Sequence, residues 1–164
     1  MNLMRKYLFI LLSVLCLGSC TEDTSIDPTV MPLATTTGAN TFGCLVDGWV
    51  YVGGRYNYWE DYNEWTPKSF RYYENENKLT GNVSVRPDIN LTFTILSPQE
   101  GKECKVTDIH FGNDDDELEE GIAVISRFDK KARIISGTFG NDGRLTNGRF
   151  DVHYSKATDN SENY

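Results

Sequence analysis

Apolar and polar residues alternate along most of the chain after residue 40, and this period of two predicts β-strands. INLTFTIL is the clearest case, because Leu91, Phe93 and Ile95 fall on one face and threonines fall on the other. GRFDVHY, near the end of the chain, places Phe150 and Val152 on one face in the same way. GIAVISRF and ARIISGTF are short runs rich in β-branched residues, which are typical of strands.

Clusters of glycine, asparagine and proline separate these runs at near-regular spacing. Asp47-Gly48, between TFGCLV and WVYV, indicates a two-residue hairpin, because both residue types tolerate positive φ angles. Further breaks fall at 98–101 and 141–143. The pattern predicts an all-β domain of about 8–9 strands, a single antiparallel meander that forms either a β-sandwich or a lipocalin-like barrel.

The first twenty residues, MNLMRKYLFILLSVLCLGSC, have the order of a secretory signal. Arg5 and Lys6 precede an apolar run that is too short to span a membrane. The run ends in LGSC, which resembles a bacterial lipobox with Cys20 as the residue that receives the diacylglycerol. An ordinary secretory signal, with Cys20 unmodified, is the alternative.

This interpretation divides the chain into four parts. They are a signal peptide at 1–19, the lipidated Cys20 with a flexible tether through residue 38, a domain at 39–155, and a disordered tail at 156–164. Two or three acyl chains on Cys20 would anchor the protein stably to a membrane. Glu22 and Asp23 resemble the surface-export signal of Bacteroidetes lipoproteins, which implies an outer-membrane protein that faces outward.

The charge balance argues against one class of partner. The full chain has 16 basic and 24 acidic residues, a formal net charge of −8. Removal of residues 1–19 takes away Arg5 and Lys6 and no acidic residue, which leaves 14 basic residues against 24 acidic ones, or −10. Such a surface repels phosphate backbones, so nucleic acid is not an expected partner.

Two cysteines, Cys44 and Cys104, remain if the signal peptide is removed and Cys20 is acylated. In an oxidising compartment they could form a disulfide, which would stabilise the fold by roughly 4 kcal/mol in the chain-entropy model. Spacing alone does not show that they meet. The alternative is that both are small buried apolar side chains.

Two stretches, NTFGCLVDGWVYV and ISGTF…LTNGRFDVHY, are similar to the ends of the domain in a family of small Bacteroidetes surface lipoproteins. The resemblance covers both ends of the domain well and its middle poorly. It implies a cell-surface lipoprotein with an all-β domain, and it implies no activity.

The residues supply no recognisable catalytic or cofactor motif, so we expect no cofactor and no enzyme activity. The two histidines, His110 and His153, do not have metal-site spacing, and we expect them at the surface or at a sheet edge. The acidic run GNDDDELEEG could bind Ca²⁺ through Asp114, Asp116 and Glu119, although a solvated loop is the simpler interpretation. A glycosidase would need two facing carboxylates in a cleft, which no pattern here indicates.

Residues 55–73 are the most unusual part of the domain. Five aromatic residues fall in an aperiodic, glycine- and proline-flanked stretch with acidic neighbours: Tyr56, Tyr58, Trp59, Tyr62 and Trp65. In a surface loop they could stack on sugar rings or anchor a protein partner, or they could cover one end of the core. The sequence therefore predicts a non-catalytic binding or assembly module, with a glycan-binding accessory protein of a polysaccharide-uptake system as the alternative.

Overall fold

The computed structural model describes residues 30–53, 68–86, 89–112 and 116–157. These residues form eleven β-strands joined by turns. They are β1 (Thr41–Val46), β2 (Trp49–Gly53), β3 (Lys68–Tyr73), β4 (Lys78–Arg86), β5 (Ile89–Leu96), β6 (Glu103–Phe111), β7 (Asp116–Leu118), β8 (Gly121–Asp129), β9 (Ile134–Gly140), β10 (Leu145–His153) and β11 (Ser155–Ala157). The all-β prediction is confirmed. In the described part of the chain, no helix is long and apolar enough to cross a membrane.

All eleven strands belong to one strongly curled sheet that forms a half-barrel. The strand order is β11-β3-β4-β5-β6-β8-β9-β10-β1-β2, with β7 paired to β6. Every pair is antiparallel except β11 with β3, so the sheet is mixed rather than a simple antiparallel meander. Only Tyr154 separates β10 from β11 in the chain. Even so, β11 lies at the opposite end of the strand order, next to β3.

The predicted count of 8–9 strands is too low, because two three-residue strands lie where the sequence predicted irregular structure. β7 lies inside the acidic run and pairs with Ile109–Phe111 of β6. β11 includes Lys156 and Ala157, which the sequence analysis assigned to a disordered tail, and it pairs with β3. Neither segment is long enough to show a period of two, and each becomes a strand because a neighbour offers it hydrogen bonds.

The predicted hairpin at Asp47-Gly48 is confirmed. Asp47 has a φ of 51° and Gly48 a φ of 80°, the pair of positive angles that a type I′ turn requires. Val46 and Trp49 pair directly on either side of the turn. Arg144 forms an ion pair with Asp47 at 2.9 Å, which joins this turn to the β9–β10 turn.

The core lies on the concave face of the sheet, and five phenylalanines form its centre. Neighbouring ring centroids are 5.1 to 6.3 Å apart. The rings belong to Phe42, Phe70, Phe93, Phe139 and Phe150, and all are buried. The alternating faces predicted for β5 and β10 are confirmed, since Leu91, Phe93, Ile95, Phe150 and Val152 are all part of the core.

Four of these rings lie directly opposite a glycine on the adjacent strand. The cross-strand pairs are Phe42 with Gly53, Phe93 with Gly81, Phe150 with Gly137, and Phe139 with Gly148. At Gly81 a Cβ atom would lie 2.5 to 2.9 Å from three carbon atoms of the Phe93 ring. A glycine in a strand marks such a close approach, and an aromatic ring across from it covers the exposed backbone.

The β9–β10 hairpin contains two of these glycine–phenylalanine pairs, and the glycine lies on a different strand in each. Gly137 of β9 faces Phe150 of β10, and Phe139 of β9 faces Gly148 of β10. The G-x-F spacing is therefore the same on both strands, which explains why ISGTF and TNGRF look alike in the sequence. The two rings pack against each other with centroids 6.0 Å apart.

Substitution of Gly81 tests this packing, because the three atoms nearest to its missing side chain belong to one ring. We expect Gly81→Ala to destabilise the domain by about 2 kcal/mol, the usual cost of overfilling a packed core. In a Phe93→Leu background the same substitution should cost less than half as much, because the ring that it displaces is absent. Urea unfolding of the four proteins measures both values.

Gly143→Ala is the matched control, since the nearest atoms to its added Cβ are side-chain oxygens at 3.5 Å in an exposed turn. It should change the free energy of unfolding by less than about 0.5 kcal/mol. Equal costs at Gly81 and Gly143, or full additivity with Phe93→Leu, would contradict ring-on-glycine packing.

Candidate functional site

One buried carboxylate, that of Asp151, interrupts the regular pattern of β10. Its strand neighbours Phe150 and Val152 face the core, so alternation directs Asp151 to the outer face of the sheet. Even so, Asp151 is 1% exposed. The chain segment before β1 crosses over it and supplies the cover.

Residues 35–39, here called the strap, bind this carboxylate mainly through backbone amides and hydroxyl groups. Hydrogen bonds to its two oxygens come from Thr35 Oγ1 (2.6 Å), Thr37 N (2.9 Å), Gly38 N (2.8 Å), Ala39 N (3.1 Å) and, from β9, Ser136 Oγ (2.6 Å). A buried carboxylate is stable when donors satisfy its lone pairs in this way. The strap is therefore fixed to β9 and β10 through one side chain.

The same contacts control the pKa of Asp151. Burial by itself raises the pKa, but the hydrogen bonds from Ser136, Thr35 and the amides of Ala39 and Gly38 outweigh it. The pKa of the carboxyl group consequently lies well below its ordinary value. The group is ionised in the folded protein throughout the neutral and mildly acidic range.

Two arginines on the outer face extend the attachment on both sides of Asp151. Arg127 of β8 donates from Nη1 to the carbonyl of Thr36 at 2.6 Å, and Arg149 of β10 donates to the carbonyl of Pro32 at 3.1 Å. The Pro32 ring also packs against Gly43, where a Cβ would lie 2.5 Å from it. Residues 32–39 thus follow a fixed path over the sheet, and the anchored region begins earlier than the predicted domain boundary at residue 39.

A second charged group, the partly buried Lys68 ammonium at the start of β3, links residues on either side of the aromatic segment 54–67. Lys68 Nζ donates to the carbonyl of Gly53, the residue before the segment, at 3.3 Å, and to the carbonyl of Asn40. Burial lowers the pKa of Lys68. Gly53 and Lys68, the described residues that flank the segment, are therefore in contact.

An apolar groove of about 430 Å³, here called the N-terminal groove, opens beside this point. No charged side chain is among the described residues that line it. Ten of the described residues line it: Val30, Met31, Pro32, Leu33, Thr35, Ala39, Thr41, Phe42, Val52 and Gly53. Leu33 is 79% exposed and Val30 is 59% exposed at its rim.

A polar cleft of about 630 Å³ lies along the end of β8, around Phe128, and Thr36 of the strap lines part of it. The Phe128 ring packs edge-on to Tyr72 and against Tyr154, and the Lys130 ammonium lies 5.5 Å from its centroid. The charged groups here already have partners, since Glu100 accepts the Phe128 amide and Arg127 pairs with Asp129 at 2.8 Å. The cleft is thus a well-paired polar surface.

The sequence-predicted binding residues lie outside the described residues. This holds for Cys20 and for Tyr56, Tyr58, Trp59, Tyr62 and Trp65. The structure does give the anchor points of the aromatic segment, Gly53 and Lys68, and places both beside the N-terminal groove.

The weak calcium candidates are not assembled into a site in the described part of the chain. Asp114 lies outside it, and the Asp116 carboxylate accepts a hydrogen bond from Arg144 Nη1 at 2.5 Å. The Glu119 carbonyl accepts from Asn141. Among the described residues no three histidine, cysteine or acidic side chains come together to hold a metal ion.

The other candidate residues, two cysteines and two histidines, all lie on strands of the sheet. Cys44 and Cys104 are both free and buried, so the possible disulfide is not formed: they lie on β1 and β6, which are not neighbours in the sheet. Burial raises the pKa of the Cys44 thiol to about 12. His153 is exposed, as predicted, and lies 3.2 Å from Asn40 Oδ1, whereas His110 is half-buried.

Sequence reasoning missed Asp151 and Lys68, the two charged groups that organise this region. Two features of the sequence could have indicated the role of Asp151. A carboxylate between two core residues, as in FDV, is unusual, and the stretch TTTG offers hydroxyl and amide groups that can donate hydrogen bonds to it. Nothing in the local sequence of Lys68 distinguishes it from a solvated lysine. Its role follows from the position of Gly53 and Asn40 in the fold.

Comparisons with known proteins do not indicate a function, so the function is inferred from the geometry of the structure. No family model, no curated protein and no solved structure matches the chain. The strap, the N-terminal groove and the anchored aromatic segment are the features from which a function is inferred.

Removal of the charge on Asp151 should release the strap. We expect Asp151→Asn to destabilise the domain by about 3 kcal/mol, because an amide turns one acceptor oxygen into a donor that faces other donors. Hydrogen exchange at the Thr37, Gly38 and Ala39 amides should accelerate. Asp142→Asn, in an exposed turn, is the control and should have little effect.

The stabilisation that Asp151 provides should be lost at low pH. Because the folded-state pKa of Asp151 is lowered, its stabilisation is complete above the unfolded carboxyl pKa of about 3.9 and is lost as pH falls below that value. The stability difference between wild type and Asp151→Asn should therefore shrink on acidification below about pH 4. A difference that stayed constant from neutral pH to pH 3 would show that the ionised carboxylate is not what holds the strap.

Proposed function

We propose that the mature chain is a lipid-anchored outer-membrane lipoprotein of the Bacteroidetes type, facing outward, whose all-β domain is a non-catalytic binding or assembly module. The lipobox-like LGSC and the following Glu22-Asp23 support the anchor and its location. The resemblance of the two ends of the domain to surface lipoproteins supports the same assignment.

The observation that carries the binding role is the Lys68 link. Partial burial of an ammonium group costs free energy, and here that group holds the carbonyls of Gly53 and Asn40 next to the start of β3. Binding residues are often placed on loops whose ends are fixed by a rigid scaffold. Five aromatic residues between two fixed points on a sheet fit that arrangement.

The buried Asp151 carboxylate and the partly buried Lys68 ammonium both have protein partners, which favours binding over catalysis. The Asp151 carboxylate receives hydrogen bonds from the strap and Ser136, and the Lys68 ammonium donates to two carbonyls. Both groups are used to position chain segments. A non-catalytic module needs only such support for a recognition surface.

A glycan is the alternative ligand, in an accessory protein of a polysaccharide-uptake system. Tyrosine and tryptophan rings stack on the apolar faces of sugars, while nearby carboxylates and amides accept or donate hydrogen bonds to hydroxyl groups. Residues 55–65 supply both kinds of group. A protein partner would use the same aromatic residues as anchors.

Loss of Cys20 should abolish membrane attachment. We expect Cys20→Ala to leave the membrane fraction, because no acyl chain can be added, and the wild-type N-terminus should carry the lipid mass in intact-protein mass spectrometry. Cys44→Ala is the matched control, since Cys44 is buried in the domain and should leave attachment unchanged. A Cys20→Ala protein that remained with the membrane after a salt wash would overturn the lipid anchor.

Titration of tryptophan fluorescence with host and plant glycans tests the glycan alternative. We expect a saturable change that is lost in Trp59→Ala or Trp65→Ala, because those rings would contact the sugar. Trp49→Ala is the control, since Trp49 is 70% exposed at the β1–β2 turn, outside the segment. Absence of any change across the panel, with variants that unfold more readily than wild type, would assign the rings to the core and leave protein partners as the target.

A further inference from the structure

The N-terminal groove and its rim form an apolar surface at the point where the chain from Cys20 enters the domain. Leu33 and Val30 are two of the most exposed large apolar side chains in the described part of the chain. They are not on a strand, and the segment that carries them is held by Arg149 and by the strap. Their exposure is thus fixed by the fold.

Chain length limits what this surface can face. Nine residues lie between Cys20 and Val30, and the ten steps from one to the other span at most about 35 Å in a fully extended chain. An acylated Cys20 would therefore keep the groove close to the membrane surface. Contact between two linked groups becomes intramolecular, so a weak affinity for lipid is sufficient to populate it.

The chemistry of the surface also suits lipid. The mature chain has a net charge of −10, which disfavours approach to anionic headgroups, whereas the groove is lined by uncharged residues. Leucine and valine side chains can enter the boundary between headgroups and acyl chains, as the apolar residues of interfacial helices do.

We propose that Val30, Leu33 and the N-terminal groove dock on the bilayer that holds the Cys20 anchor and so fix the orientation of the domain. This proposal rests on the proposed acylation of Cys20. In the docked state the strap side of the domain faces the lipid. The groove is then a membrane contact rather than a ligand pocket.

A spin label beside the rim tests the docking in the full mature chain. Ala34 is exposed and adjacent to Leu33, and a single cysteine at Ala34→Cys can be labelled under native conditions because Cys44 and Cys104 are buried. Glu117→Cys and Lys131→Cys, at exposed positions on β7 and the β8–β9 turn, are the control sites. The protein is placed on phosphatidylcholine vesicles through its own lipid.

We expect accessibility of the label at residue 34 to a water-soluble nickel reagent to fall about threefold on vesicles, as for a side chain at the headgroup boundary, with the control labels unchanged. Accessibility to oxygen should rise at the same position. Val30→Asp together with Leu33→Asp should reverse both changes without lowering the melting temperature, because both side chains are exposed. Equal accessibility at residues 34, 117 and 131 on vesicles would overturn the proposal.

A second attachment separates docking from acylation. The chain from residue 20, with a hexahistidine tag in place of Cys20, is bound to vesicles that contain a nickel-chelating lipid. If the label at residue 34 is immersed in this second attachment and the native N-terminus carries no lipid, the proposed anchor is overturned. The docking surface is then supported. A label that is shielded from both reagents without vesicles would instead show that protein covers the groove, and this would overturn the proposal.

Discussion

The close packing of phenylalanine rings over glycines on neighbouring strands is the constraint on which this fold depends. A strongly curled sheet brings side chains on its concave face together, and five rings can share that space only if some opposite positions have no side chain. Gly53, Gly81, Gly137 and Gly148 meet this requirement, each across from a ring. Strand bulges, such as the register shift after Gly43 in β1, add to the curvature.

Two charged side chains then attach irregular segments to this scaffold. Asp151 binds the strap through amide and hydroxyl donors, and Lys68 binds the carbonyls at the base of the aromatic segment. The two groups are complementary in chemistry, because a carboxylate accepts from backbone amides and an ammonium donates to backbone carbonyls. Asp151 uses its charge to fix residues 35–39, and Lys68 uses its charge to hold residues on either side of 54–67.

These attachments connect the fold to the proposed function. The strap and Arg149 determine where the chain from the proposed membrane anchor enters the domain, and Lys68 holds Gly53, the residue before the aromatic segment. Both points border the N-terminal groove. If the domain docks as proposed, Gly53 lies on the side of the domain that faces the membrane.

The sequence by itself determined the fold class, most strand positions, the Asp47-Gly48 turn and the burial of Phe93 and Phe150, because alternation and turn chemistry are local properties of the chain. It did not determine β7 or β11, since three-residue strands depend on hydrogen bonds from a neighbour. Nor did it reveal the role of Asp151, which lies more than 110 positions from the strap. Alternation assigns a residue to a face of the sheet, but only the tertiary structure decides what covers that face.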